Sequence, residues 1–380
     1  MVLVSDLHLG KIQDTIEKHG MPSRLFDTQM RLYEAINYAV KKKSVLVIAG
    51  DVFNYHSPNP EYIAVLFSIL DYAQYKDVKV YIIPGNHDCS NTFHSIQYLS
   101  KELDKQNKAF KNTVIITNPW FENIENMNVV FLPHIPRAYM SVENYQKNAL
   151  LSIQSQKKNK SIDLVIGHAH LTGAKNSSEV KIEMGNKIHF NPSNFFKYKL
   201  GVFGHIHKHQ IIKNNIYIGP VCTNSFDEAP LIKGFIYVKT PLEWRFIPYK
   251  TKETEYKQVF IDLISKDKVL FDSEKMKRVV ENKLLKITVY TDDLMKVNQT
   301  EIKNQFSKYG TICRFEVITD SDKYRGDIDD SINDDFMESV NYKPVFKSWV
   351  KDKKFSKEKE KLVLQLGNNI IEEVLNDKGN

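Results

Sequence analysis

Side chains able to ligate a metal ion recur at five places in the sequence: Asp6 and His8, Asp51, Asn86 and His87, His168, and His205 with His207. In Asp6-x-His8 and His205-x-His207 the two side chains lie two apart along an extended segment. They therefore point the same way, and one loop can present both to a single site. A carboxylate can bridge two cations and an imidazole cannot, so aspartates among histidines and an asparagine suit a pair of divalent ions about 3.5–4 Å apart. Such a mixed nitrogen and oxygen set fits manganese, iron, zinc or nickel better than magnesium or calcium, which prefer oxygen-only shells. Gly50, Gly85, Gly167 and Gly204 each stand just before one of these ligands, where close backbone approach is needed. Any one of the histidines alone reads as an ordinary core or surface residue. Buried together without a metal, they would need an improbable set of mutual partners. In Gly167-His168-Ala169-His170 the histidine directly after the glycine is the expected ligand.

Each cluster closes a short apolar run: MVLVSDLH from Met1, VLVIAGD from Val45, VKVYIIPGNHD from Val78, IDLVIGHAH from Ile162 and LGVFGHIH from Leu200. Near-continuous Val, Ile and Leu of strand length predicts strands covered on both faces. In open α/β sheets, ligand sites gather beyond the carboxyl ends of the strands, which is where all five polar clusters fall. Only five residues precede Asp6, so the first strand is short, either a clipped edge strand or the remnant of an earlier start. Helical spacing of apolar residues predicts helices over Phe26–Lys41, Asn59–Tyr75 and His94–Leu103. The second is more apolar than one face requires, which fits packing on the parent core or a contact between two copies.

At 380 residues the chain is long enough for one large core and at least one smaller unit. The body is expected over residues 1–240. A small α+β unit is expected over 241–318, from the change of character near Thr240 with β-type segments Phe235–Val238, Gln258–Leu263 and Leu285–Tyr290 and a helix over Val297–Tyr309. An acidic linker is expected over 319–335 and a pair of amphipathic helices over 336–380, the second with Leu362, Val363, Leu366, Ile370 and Val374 on one face. Lys and Arg outnumber Asp and Glu by 27 to 20 in residues 1–240 and equal them, 26 to 26, in 241–380. The whole basic excess thus lies in the metal-ligating part, which suits a polyanionic partner. Cys89, Cys222 and Cys313 are widely spaced and odd in number, which argues against a disulfide framework and a thiolate zinc site. No apolar run reaches the length of a membrane span, and no secretory signal is read at the N-terminus, so a cytoplasmic location is expected.

Asp-x-His, Gly-Asp, Gly-Asn-His-Asp, Gly-His and Gly-His-x-His in this order resemble the signature of the calcineurin-like metallophosphoesterases. Within that superfamily, SDLHLGK, GHAHLTGAKNSSE, GHIHKHQ, IGPVCTNSFDE and KGF are similar to the SbcD-type nuclease component of a double-strand-break repair complex. The resemblance implies an α/β fold with a layered β-sandwich flanked by helices and a small capping domain. It places Asp6, His8, Asp51 and His207 around one ion, and Asp51, Asn86, His168 and His205 around a second, with Asp51 as the bridge. It further implies that His87 contacts the scissile phosphate and that Asp88 orients His87. Manganese as the ion and DNA as the substrate follow from the same resemblance, as do a homodimer and an SbcC-type coiled-coil ATPase gripped by 336–380, notably in phage-encoded recombination endonucleases, where the cytoplasm would be the host's. Where relatives commonly carry His or Asp three residues beyond the bridging aspartate, this chain has Asn54, with His56 nearby. A phosphatase or small-molecule phosphodiesterase sharing the metal core, and a non-catalytic adaptor, are the alternatives. The long C-terminal extension argues against the former and the complete ligand set against the latter.

Overall fold

A computed structural model describes residues 1–11, 15–90, 93–96, 110–134, 142–157, 160–175, 197–263, 273–292 and 297–319. The expected linker beyond residue 319 and the helix pair over 336–380 lie outside the described residues, as does the predicted helix from His94 beyond Ile96.

In chain order the strands are β1 (Val2–Val4), β2 (Glu17–Lys18), β3 (Met21–Pro22), β4 (Leu46–Ala49), β5 (Val80–Ile83), β6 (Thr113–Ile115), β7 (Trp120–Ile124), β8 (Met127–Leu132), β9 (Ile162–His168), β10 (Tyr198–Gly204), β11 (Gln210–Ile212), β12 (Asn215–Tyr217), β13 (Gly234–Thr240), β14 (Glu243–Pro248), β15 (Tyr256–Asp262), β16 (Leu284–Thr291) and β17 (Thr311–Thr319). The helices are α1 (Ser23–Lys42), α2 (Pro60–Tyr75), α3 (Val142–Lys157), α4 (Ser273–Val280) and α5 (Gln299–Phe306).

Among the described residues, two six-stranded sheets carry the five runs that end in candidate ligands. One has the order β14-β13-β1-β4-β5-β6 and the other β11-β12-β10-β9-β8-β7. Strands β1, β4 and β5 are parallel neighbours in the first, β9 and β10 in the second. The uninterrupted apolar character of these strands has a direct cause. Val2, Val4, Leu46, Ile48, Val80 and Ile82 face α1 and α2, while Leu3, Val47, Ala49, Tyr81 and Ile83 face Val129, Phe131, Leu164, Ile166 and Val202 of the second sheet. Alternate side chains thus go to two different cores, and each fully buried Leu, Ile or Val contributes about 1.5–3 kcal/mol. The outer face of the second sheet is covered by Ala149 and Ile153 of α3. The short β1 is an inner strand between β13 and β4, not a sheet edge.

Helix α1 runs slightly past both ends of its predicted range and stops at Lys43, whose left-handed backbone (φ 51) lets its N–H return to the carbonyls of Ala39 and Val40. Helix α2 begins with Pro60 in its first turn, where the missing N–H costs nothing. The Phe235–Val238 segment, grouped by its sequence with the small unit, instead lies in β13 of the body, where it pairs with β1, and β14 extends the same sheet past residue 240 to Pro248.

Beyond it, β15, β16 and β17 form a parallel three-stranded sheet with α4 and α5 as the crossovers. Its core joins Ile261, Leu285, Ile287 and Val289 to Val280, Ile302 and Phe306. This sheet is tied to the body by Arg31–Glu253 (3.1 Å), by Asp27 accepting from the Thr254 N–H (2.7 Å), and by Phe226 against the ring of Tyr256 (5.0 Å between centroids).

Candidate metal centre

The register of the parallel strands, continued past their ends, lines up the ligand loops. Val4 pairs with Ile48, and beyond that pair the N–H of Asp6 donates to the Gly50 carbonyl and that of His8 to the Asp51 carbonyl, both at 3.0 Å. Ala49 pairs with Ile83, which brings Gly85 beside Asp51 so closely that a methyl group on Gly85 would run into the Asp51 carboxylate. In the second sheet Gly204 pairs with His168, placing His205 next to it. The sheets meet where His168 Nδ1 reaches the Ala49 carbonyl (2.9 Å) and the His205 N–H reaches Asp6 Oδ1 (3.0 Å). Asp6, His8, Asp51 and His205 all have positive φ (54°, 46°, 50° and 93°). Such backbone costs of order 1–3 kcal/mol per residue and persists only where the surroundings over-determine it.

All seven expected ligands converge. Asp6, His8 and His207 form one group able to hold an ion, and Asp51, His168 and His205 another, with Asn86 Oδ1 at 3.1 Å from His168 Nε2 and 2.8 Å from His205 Nδ1. Asp51 lies between them, with Oδ2 at 3.2 Å from His168 Nε2 and 3.8 Å from His8 Nε2. His170 belongs to none of these groups, although its ring is 5.9 Å from that of His205.

His87 joins a third group with His8 and Asp51. Its N–H donates to Asp51 Oδ1 (2.9 Å), and its ring Nδ1 meets the Asn54 carbonyl (3.0 Å). The Asn54 position, where relatives commonly carry an acidic or imidazole side chain, therefore acts on His87 through its main chain, and His56 is exposed. Asp88, expected to orient His87, has its buried carboxylate occupied otherwise. It accepts from the N–H groups of Val52 (3.1 Å), Phe53 (2.8 Å) and Gly85 (2.8 Å). A carboxylate removed from water needs such donors, and here they tie the Asp51 loop to the Asn86 loop. Asp88 thus supports His87 by fixing the loops and not by gripping its ring. Burial, and after it the Asp51 charge, push the Asp88 pKa up to about 7.

Two residues with roles at this site were not picked out by spacing. Glu228, in the short turn Phe226–Glu228, reaches His207 Nδ1 at 2.6 Å and is itself buried. The Ala49 carbonyl fixes the His168 ring. The FDE tripeptide carried the only sequence signal for Glu228, without indicating its target.

The donor set fits divalent cations. His8 Nε2 and His207 Nε2 face each other at 3.1 Å, and the buried Nδ1 of His8 has no hydrogen-bond partner among the described residues. Burial pushes the pKa values of His8 and His205 well below the ordinary imidazole value, which keeps lone pairs available. Burial also opposes ionisation of Asp51, but His168 and His87 outweigh it and hold its carboxyl well below the usual range. Burial likewise disfavours a charged His168, yet Asp51 overrides it and raises the pKa to about 9. His168 therefore carries a proton at pH 7.5 that a ligated ion must displace. Calorimetric titration with manganese at pH 7.5, in buffers of different ionisation enthalpy, is expected to show release of about one proton, fading above pH 9. Absence of release at pH 7.5 would count against His168 as a ligand.

A family model described as calcineurin-like phosphoesterase matches residues 1–209, which span every expected ligand from Asp6 to His207. The chain is 25% identical over 330 residues to the SbcD component of the nuclease SbcCD of Staphylococcus epidermidis, covering 79% of this chain and 82% of that protein. It is 24% identical over 269 residues to the corresponding SbcCD nuclease component of Staphylococcus saprophyticus, covering 66% and 69% respectively. Among the described residues no helix is long and apolar enough to cross a membrane.

Proposed function

Since the chain belongs to the calcineurin-like phosphoesterase family, we propose that it is a metal-dependent nuclease that hydrolyses DNA phosphodiester bonds with two manganese ions, in company with an SbcC-type ATPase. The observation that carries this reading is the convergence of seven candidate ligand side chains from five loops, with Asp51 between the two groups they form. Asp6, His8, Asp51 and His207 would hold one ion and Asp51, Asn86, His168 and His205 the other. Bound there, two divalent ions supply Lewis-acid polarisation of the phosphate and acidify the attacking water.

The chain's own groups position and exchange protons. His87 Nδ1–H donates to the Asn54 carbonyl, so the proton passed to the leaving oxygen would come from Nε2 of the doubly protonated ring, leaving the neutral Nδ1–H tautomer. Asp88 keeps the His87 loop and the Asp51 loop in register. The basic excess in residues 1–240 attracts the polyanionic strand, so binding is expected to weaken steeply with salt. A second copy is proposed to pair through α2 and the segment from His94.

Two assays test this reading. Purified chain should degrade linear duplex DNA in manganese and lose that activity in chelator; hydrolysis of a chromogenic phosphodiester with the duplex left intact would instead indicate a small-molecule phosphodiesterase. Deleting 336–380 should abolish co-purification with an SbcC-type ATPase while sparing basal DNA cleavage. Retained co-purification would remove the proposed role of that segment.

A further inference from the structure

His207 is set apart from the other ligand histidines by what holds its far side. His168 Nδ1 meets a main-chain carbonyl, and His205 Nδ1 faces Asn86, its fellow member of the ligand set. His207 Nδ1 instead meets a carboxylate, Glu228 Oε1, at 2.6 Å. The other oxygen of Glu228 accepts from the buried Lys233 ammonium (3.0 Å) and from the Asn224 N–H (3.0 Å). Asn224 is anchored in turn, because its side-chain oxygen accepts from Arg24 on α1, whose guanidinium also reaches the Thr223 and Cys222 carbonyls. The Asn224 amide also comes within 3.3 Å of His207 Nδ1. A carboxylate so surrounded by donors stays ionised and can only accept.

The consequence is a fixed tautomer. With Glu228 accepting, the His207 proton must sit on Nδ1, and the lone pair on Nε2 points at His8 Nε2 and the Asp6 group. An imidazole whose distal N–H is bound by a carboxylate is a stiffer and more basic ligand, and losing that partner typically costs 10–100-fold in metal affinity. We propose that Glu228, backed by Lys233 and Asn224, is a positioning residue that sets the tautomer and ring orientation of His207 and so the affinity of the ion position formed with Asp6 and His8. This rests on the two-ion reading above and adds an asymmetry to it. Of the two positions, the one that includes His207 depends on a buried carboxylate outside the ligand set, and the one that includes His168 and His205 does not.

The test uses the full chain and manganese alone, with no nucleic acid. Electron paramagnetic resonance titration of free manganese should give two bound ions in the unaltered chain. Glu228→Ala should weaken one of them 10–100-fold and leave the other as it was, whereas Glu228→Gln, whose amide oxygen can still accept from Nδ1–H, should recover most of the loss. Both ions binding to a folded Glu228→Ala chain with unaltered affinity would overturn the proposal. Equal weakening of both, with Glu228→Gln no better than Glu228→Ala, would overturn it too, because it marks a merely structural role. Should Glu228→Ala fail to fold, nitrogen-15 NMR of the unaltered chain decides the matter. Protonation of His207 at Nδ1 supports the proposal and protonation at Nε2 overturns it. If the unaltered chain bound no manganese, the two-ion reading would fail, while the tautomer measurement would still report on Glu228.

Discussion

Asp51→Asn is expected to leave a folded chain that no longer binds two ions and that cleaves DNA roughly ten-thousand-fold more slowly, a loss of about 5 kcal/mol of transition-state stabilisation. The side chains are nearly isosteric, so the N–H of His87 keeps an oxygen acceptor and the fold is retained. What disappears is the charge shared between the His168 side and the His8 side of the centre. A neutral amide cannot bridge two cations, and His168 loses the partner that raises its pKa. Metal analysis of the dialysed protein alongside cleavage rates checks this directly. Two ions retained per chain, or cleavage within tenfold of the original, would mean that Asp51 is not the bridge.

His87→Gln is expected to lower kcat by about 10²–10⁴-fold, the usual contribution of a positioned proton donor, with both ions still bound. Two features of the site set this apart from the first substitution. His87 projects from the same loop as Asn86, but its Nδ1 is held by a main-chain carbonyl outside the ligand set. It also lies close enough to His8 and Asp51 to form a metal-binding group of its own, with ring centroids of His8 and His87 4.8 Å apart. The two roles separate cleanly in experiment. Loss of rate at full occupancy assigns His87 to proton transfer, and loss of an ion assigns it to the ligand shell.

The parts of this fold that were legible in the sequence are those in which one residue type satisfied two demands. Strands β1, β4, β5, β9 and β10 read as apolar runs because their alternate side chains enter two cores, and their ends read as chemistry because polar ligands follow at once. Edge elements were not legible. β7 has an exposed, buried, intermediate, exposed, buried pattern, and it joins β8 through Glu125 and Asn126, both at positive φ (51° and 63°), without the glycine that usually announces such a turn. β14 was hidden because its side chains are only partly covered.

In the site, spacing identified which residues gather but not what holds them. Asp88 stood in a motif that suggested a partner for His87, yet its oxygens bind the main chain of Val52, Phe53 and Gly85. Glu228 lies 21 residues from His207, and no periodicity connects them. Contacts of that kind depend on where β12, the turn at Phe226–Glu228 and β13 are brought together, which is a property of the tertiary fold. Asn54 shows the converse, since the residue whose side chain departs from the family pattern contributes through its main-chain carbonyl.

Diffraction from crystals of the full chain grown with manganese, with anomalous data collected at the manganese absorption edge, tests the two-ion centre most directly. Two peaks about 3.5–4 Å apart with the Asp51 carboxylate between them, one beside His8 and His207 and the other beside His168 and His205, are the expected result. A single peak, or two peaks of which neither touches Asp51, would contradict it.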